Sequence, residues 1–176
     1  MNQFILTVCD FYSIIPVAIY FGFFYMGLYL NNPKEAFSFL LFFYLNDNIT
    51  KVIKSLPYPK PLWEITRRPD GAFNTDYLSR HGPSKKDAPG FPSGHMTSIT
   101  SFCIYMILRK MDGRTLKEFV KEEPLYFYIN ILLIILMGFA RWYKKCHNIV
   151  QIIAGIIYGG ITTYLYYEYV GKYLIK

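Results

Sequence analysis

Charged residues are scarce in this sequence: Asp, Glu, Lys and Arg together make up 18% of its 176 residues, against about 25% in a typical soluble domain. Cysteine is also rare, and the three cysteines lack the paired spacing of a disulfide framework or a zinc site. The sequence does not open with the basic stretch and small-residue cleavage site of a signal peptide. We therefore expect the first apolar segment to be retained as a helix.

Apolar and aromatic residues are abundant instead. The sequence is 53% hydrophobic and contains 15 Phe and 17 Tyr, which is too many for the core of one small domain. The composition predicts one membrane-embedded domain over residues 1–176, with the lipid bilayer as its partner and solvent. The net charge of +7 indicates Lys and Arg residues in loops that meet anionic headgroups or anionic substrates. No nucleic-acid partner is expected.

Apolar runs near 20 residues predict membrane-spanning helices. The predicted fold is an all-α polytopic membrane bundle with about five transmembrane helices, six being possible. The stretch 56–92 is rich in proline, glycine and charge, so we expect an inter-helix loop that carries part of the active site. The five predicted spans are 11–30, 36–55, 95–109, 124–140 and 147–170.

The segment Pro92-Ser93-Gly94-His95 opens the third predicted span. Ser93 is a good helix N-cap, and Gly94 lets a backbone N–H approach a ligand closely. The N–H groups at a helix N-terminus bind anions, and His95 can donate a proton to a leaving oxygen. A plain helix cap with an incidental histidine explains the same residues equally well.

A second polar group surrounds the start of the fifth span. His147 and Gln151 are four residues apart and share a helix face, so the amide can fix the imidazole tautomer and leave one ring nitrogen free as a nucleophile. Arg141 adds a planar, permanently charged fork suited to phosphate. The alternative is a basic loop with an interfacial histidine.

The predicted topology relates the two groups. His95 begins the third span and His147 begins the fifth, so two crossings separate them. Both groups are therefore predicted to lie at the same membrane face.

These residues resemble the type 2 phosphatidic acid phosphatase superfamily, which comprises metal-independent membrane phosphatases and related haloperoxidases built as helical bundles. Its signature combines Lys-x6-Arg-Pro, Pro-Ser-Gly-His and Ser-Arg-x5-His-x3-Asp. The second part matches fully, while Ala140 and Gln151 replace Ser and Asp in the third. Glutamine at that last position is similar to the dolichyl-diphosphate phosphatase branch. The resemblance covers about residues 45–165. The five predicted transmembrane helices are one fewer than the six usual in this superfamily.

The first part of the signature has two interpretations. Lys51-x6 reaches Tyr58 instead of arginine, whereas Lys60 is followed by Arg67 without proline and, one residue too late, by Arg68 with proline. The prolines around Lys60 argue against a helix there. We favour Lys51 from the helix combined with Arg68, or Arg67, returned by the loop; simple snorkelling of Lys51 to the interface is the alternative.

The resemblance implies a mechanism that requires neither a metal ion nor a cofactor. His147 attacks phosphorus and forms a phosphohistidine, His95 protonates the leaving oxygen, and Gln151 orients His147. The residues implied to hold the phosphoryl oxygens are Lys51, Arg68, Ser93, Gly94 and Arg141.

The predicted function is hydrolysis of a lipid phosphate or diphosphate headgroup, with a polyprenyl or dolichyl diphosphate favoured. A phosphatase for phosphatidate or another glycerolipid phosphate is one alternative. An inactive membrane protein that binds lipid phosphate is the other. The resemblance implies the endoplasmic reticulum or another cellular membrane, with the site on the lumenal or extracytoplasmic side. The oligomeric state is left open.

Overall fold

The computed structural model describes residues 3–29, 32–70, 72–75, 80–83 and 88–174. Two short strands, β1 (Phe73–Thr75) and β2 (Arg80–Pro83), form an antiparallel hairpin, and a π-helical turn (Tyr167–Gly171) follows α8. The α-helices are α1 (Gln3–Tyr12), α2 (Ile15–Tyr29), α3 (Pro33–Ser55), α4 (Lys60–Thr66), α5 (Gly94–Met111), α6 (Leu116–Glu122), α7 (Pro124–Tyr143), α8 (Ile149–Tyr166) and α9 (Lys172–Leu174).

The predicted helical bundle is confirmed. Within the described ranges, three helical segments are long and apolar enough to cross a membrane: Gln3–Tyr25, Pro124–Tyr143 and Ile149–Leu174. The predicted spans 36–55 and 95–109 are also helical, as α3 and α5, but both carry polar residues on buried faces. The first segment is interrupted between Tyr12 and Ile15, where α1 gives way to α2.

The outer surface of the bundle is apolar, as lipid exposure requires. On α8 the isoleucines 149, 153, 157 and 161 follow one another at helical spacing, and each is roughly half exposed or more. The opposite face of that helix carries Gln151, Gly155, Gly159 and Thr163, which are all buried. Helix α8 therefore presents an apolar face outward and a small or polar face to its neighbours.

Helix α5 lies at the centre of the bundle and packs most closely on α8. A Cβ atom at Gly155 would stand 2.7 Å from the carbonyl oxygen of Ser93, and one at Gly159 would stand 2.6 Å from that of Thr97. Only glycine permits this backbone approach, which fixes the start of α5 against α8. Small residues serve the same purpose where helices pack in membranes.

In its described residues, the long connection between α3 and α5 contains a helix and two strands, which the proline-rich sequence does not indicate. Helix α4 begins at Lys60, so the expectation that Lys60 is not helical was wrong. Pro61 falls in the first turn, where a missing N–H costs no helical hydrogen bond. After the hairpin the chain returns beside α4, with an isolated bridge pairing Arg67 with Pro89.

A buried carboxylate closes the end of the bundle that lies away from the start of α5. Glu35 is 3% exposed and accepts a hydrogen bond of 2.7 Å from the Tyr105 hydroxyl. Arg109 forms an ion pair with the same carboxylate, and Asn32 donates to it over 2.9 Å. These bonds join the start of α3 to the last turns of α5.

The contact between α5 and α8 gives a direct test of the packing. We expect Gly159→Ala to destabilise the protein by about 1–3 kcal/mol, because its methyl group meets the backbone of Thr97. The measurement is the thermal unfolding midpoint in detergent.

The adjacent residue supplies the control. A Cβ atom at Gly160 meets nothing within 4 Å, so Gly160→Ala should leave the midpoint unchanged or raise it, since alanine is the better helix former. Equal destabilisation by both variants would contradict the close approach at Gly159.

Candidate active site

A cavity of about 230 Å³ opens where the C-terminal half of α3, the start of α5 and the end of α7 converge. It contains both histidines singled out from the sequence, which the predicted topology placed at one face. Its walls also carry four basic side chains and one carboxylate. The lining residues are Pro16, Asp47, Thr50, Lys51, Lys54, Arg68, Gly94, His95, Ser98, Arg141 and His147.

His147 lies in the turn between α7 and α8 and is 2% exposed. Asn148 caps α8 by accepting the backbone N–H of Gln151 at 2.9 Å. This cap sets the first turn of α8, and the Gln151 side chain then reaches back to His147. The distance from Nδ1 of His147 to Oε1 of Gln151 is 2.9 Å.

The orientation of the Gln151 amide is fixed by two backbone carbonyls. Its Nε2 donates to the carbonyl oxygen of Ile65 at 3.0 Å and to that of Arg67 at 2.6 Å. Because the amide nitrogen can only donate, the oxygen faces the imidazole and requires a proton on Nδ1 of His147. The other ring nitrogen, Nε2, is thereby left with a lone pair.

The surroundings of His147 favour its neutral form. Burial lowers the pKa of His147 well below its usual range, and the positive charges of Arg141, Arg68 and Lys54 lower it further. The hydrogen bond with Gln151 opposes this shift but does not reverse it. His147 is therefore an unprotonated imidazole near neutral pH, as a nitrogen nucleophile must be.

The start of α5 supplies the opposite wall. Gly94 and His95 occupy its first turn, where backbone N–H groups have no helical acceptor. The hydroxyl of Ser93 is fully buried and makes no hydrogen bond within the described part of the chain. A buried hydroxyl and free N–H groups at a helix N-terminus together form a site for an anion.

Arg141 and Arg68 reach the cavity from distant parts of the sequence. Arg141 occupies the last turn of α7 and is 1% exposed. Arg68 follows α4, and its backbone N–H donates to the carbonyl of Ala88 at 2.9 Å. Burial, followed by the charge of Arg141, lowers the pKa of Arg68. The loop thus holds a second guanidinium beside the first in spite of their mutual repulsion.

Arg67 and Arg68, between which the sequence left the arginine of the first motif open, lie in different places in the structure. Arg68 lines the cavity, whereas Arg67 turns its backbone carbonyl toward the amide of Gln151. Of the two lysines considered, Lys51 lines the cavity and Lys60 does not.

Lys54 is the residue that the sequence reasoning missed. Lys51 is 65% exposed and forms an ion pair of 2.6 Å with Asp47, whereas Lys54 is partly buried and lines the same cavity. A Cβ atom at Gly94 would lie 3.3 Å from Nζ of Lys54, so this ammonium group stands directly over the start of α5. The signal in the sequence was the three-residue spacing, which puts both lysines on one helix face.

Carboxylates and thiols do not gather at this site in the way that metal centres require. Within residues 3–29, 32–70, 72–75, 80–83 and 88–174, no group of three or more His, Cys, Asp or Glu side chains is placed to hold a metal ion. The charges that converge on the two histidines are those of lysine and arginine.

A sequence model of the PAP2 superfamily matches residues 35–174, a range that contains every cavity residue named above except Pro16. Neither a curated protein nor a solved structure shows significant similarity to the chain.

The charge environment of His147 can be tested without any substrate. We expect Arg68→Ala to raise the pKa of His147, because removing a nearby positive charge eases protonation of the ring. Arg68→Lys keeps that charge and should leave the pKa low. The measurement is the titration of ring-15N-labelled histidine by NMR in detergent micelles. A wild-type His147 that titrates at the ordinary value of about 6.5 would contradict the described environment.

Proposed function

Because the chain belongs to the PAP2 superfamily, we propose that it is an integral, multi-pass membrane phosphatase that hydrolyses the phosphate or diphosphate headgroup of a lipid. The observation that carries this proposal is the cavity itself. It places a neutral, buried His147 and a second histidine, His95, among Lys54, Arg68 and Arg141. A phosphoryl group is the ligand whose charge and oxygen count suit that arrangement.

In the proposed complex the phosphoryl oxygens are held by cations and by the start of α5. Arg68 and Arg141 offer guanidinium forks, Lys54 offers an ammonium group, and Ser93 and Gly94 offer a hydroxyl and a backbone N–H. These donors oppose the charge that builds up on the oxygens during transfer. We assign this role to Lys54 in place of Lys51, which we place at the rim of the cavity with its partner Asp47.

The chemistry proceeds in two steps. The lone pair on Nε2 of His147 attacks phosphorus in line as the bond to the leaving oxygen breaks. His95, in the imidazolium form that the bound anionic substrate favours, gives that oxygen its proton. His95 then takes a proton from water, whose oxygen attacks phosphorus and breaks the P–N bond. Gln151 keeps the proton on Nδ1 of His147 throughout.

A polyprenyl or dolichyl diphosphate is the substrate that we favour. The cavity volume of about 230 Å³ is below the roughly 300–1,000 Å³ of sites that enclose a whole small molecule. It suits a headgroup whose hydrocarbon chain remains in the bilayer. A neutral Gln151 stabilises the His147 imidazolium less than an aspartate at that position would. A diphosphate substrate suits this weaker support, because it already contains a good leaving group.

The location that we propose from the family membership is the endoplasmic reticulum or another cellular membrane, with the cavity on the lumenal or extracytoplasmic side.

Two alternative functions can be tested against the proposed one. They are hydrolysis of phosphatidate or another glycerolipid phosphate, and binding of a lipid phosphate without turnover. Phosphate release from matched lipids separates them.

The proposal predicts metal-independent phosphate release by the purified protein in detergent with EDTA. We expect His147→Ala to abolish release and His95→Ala to reduce it by roughly 10²–10⁴-fold, the usual contribution of a general acid. The third histidine, His81 in β2, provides the control, and His81→Ala should retain activity.

Several outcomes would count against the proposal. Equal phosphate release from wild type, His147→Ala and His95→Ala would exclude this active site, and binding of vanadate without turnover would favour the inactive alternative. Inhibition by EDTA would contradict the mechanism. Faster hydrolysis of phosphatidate than of a polyprenyl diphosphate would overturn the substrate preference.

The two lysines of α3 give a paired prediction. Loss of a charge-assisted bond to phosphate costs about 1.5–3 kcal/mol, so Lys54→Ala should lower kcat/KM by roughly 10–100-fold. Lys51→Ala should have a smaller effect, because the exposed Lys51 is already paired with Asp47. A larger loss from Lys51→Ala would restore the assignment made from the sequence motif.

A further inference from the structure

The junction between α1 and α2 contacts the candidate active site although it lies before residue 35, where the family match begins. Pro16 has no N–H, so the helical hydrogen-bond pattern fails just after α1. The backbone N–H of Val17 donates to the carbonyl of Ile14 at 2.9 Å, and not to Ser13 four residues back. The carbonyl of Ser13 is thereby released from the helix.

The helix break places Ser13 and Pro16 beside the site. Ser13 is 1% exposed, and Pro16 lines the cavity that contains His95, Arg141 and His147. The junction is therefore buried against the site.

The hydroxyl of the same residue meets Arg141. Oγ of Ser13 donates to the carbonyl of Cys9 at 2.9 Å and accepts from Nη1 of Arg141 at 3.2 Å. The first bond uses the hydroxyl proton and so turns the oxygen lone pairs toward the guanidinium. Arg141 is 1% exposed, which makes this buried acceptor a determinant of where its fork points.

A buried ion pair holds α1 in place beside the site. Nζ of Lys144 lies 2.5 Å from the carboxylate of Asp10, and the lysine side chain is 1% exposed. Lys144 belongs to the turn that joins Arg141 to His147. The same turn that delivers the proposed nucleophile is therefore bonded to α1, one helical turn before Ser13.

We propose that Ser13 is a positioning residue of the active site: its hydroxyl orients Arg141 for phosphate binding. This inference rests on the proposed phosphatase function. It gives the junction between α1 and α2 a role in the site, although Ser13 belongs to none of the three family motifs.

The role of the hydroxyl is tested by substitution. Ser13→Ala removes the buried acceptor for Arg141, so KM and the inhibition constant of vanadate should rise by roughly tenfold, the size of one lost charge-assisted bond, with little change in kcat. Unchanged constants in Ser13→Ala would overturn the role of Ser13. Ser13→Thr retains a hydroxyl and should restore both constants. Ser13→Cys, with a weaker acceptor of similar volume, should lie between them and replaces the alanine variant if that variant fails to fold.

NMR of the Arg141 side chain separates this inference from the proposed function. Its guanidinium resonances should shift in Ser13→Ala and return toward their wild-type positions in Ser13→Thr. These signals are read whether or not the protein turns over substrate, so an inactive wild type would refute the phosphatase alone. Unchanged Arg141 resonances in Ser13→Ala would refute the role of Ser13.

Discussion

Three cations, Lys54, Arg68 and Arg141, face one neutral imidazole inside a small cavity, and their mutual repulsion is the constraint on which the site depends. In a partly buried environment like charges repel strongly. Burial together with the same positive charges keeps the imidazole of His147 neutral, so the cations that repel one another also favour the protonation state that the proposed nucleophile needs. In the proposed complex an arriving phosphoryl group would relieve the repulsion.

The fold supplies rigid support for that arrangement inside an apolar bundle. Helices α3 and α5 are more polar than α2, α7 and α8, but their polar side chains lie mainly on buried faces, so lipid meets mainly hydrocarbon. Glycines on α8 bring its backbone against the start of α5, and the backbone N–H of Ser93 donates to the carbonyl of Gln151 at 3.0 Å. The helix end proposed to bind the anion and the helix that orients His147 are therefore bonded to each other.

The sequence was sufficient for the long helices, because apolar runs are local signals, and its second and third motifs supply residues that line one cavity. It was insufficient for α4 and wherever the chain folds back on itself. The distinction between Lys51 and Lys54 depends on burial, and that between Arg67 and Arg68 depends on the path of the returning loop. Ser13 carried no motif, and its proposed role follows from a contact with Arg141 that only the packed structure shows.

The proposed mechanism requires that His147 becomes covalently phosphorylated. This is measured by rapid quenching of the purified protein during hydrolysis of a lipid substrate with labelled phosphorus, followed by peptide mapping. We expect an acid-labile, base-stable phosphoramidate on the peptide that contains His147, and no label in His147→Ala. Turnover without a labelled peptide, or label on another residue, would contradict this mechanism.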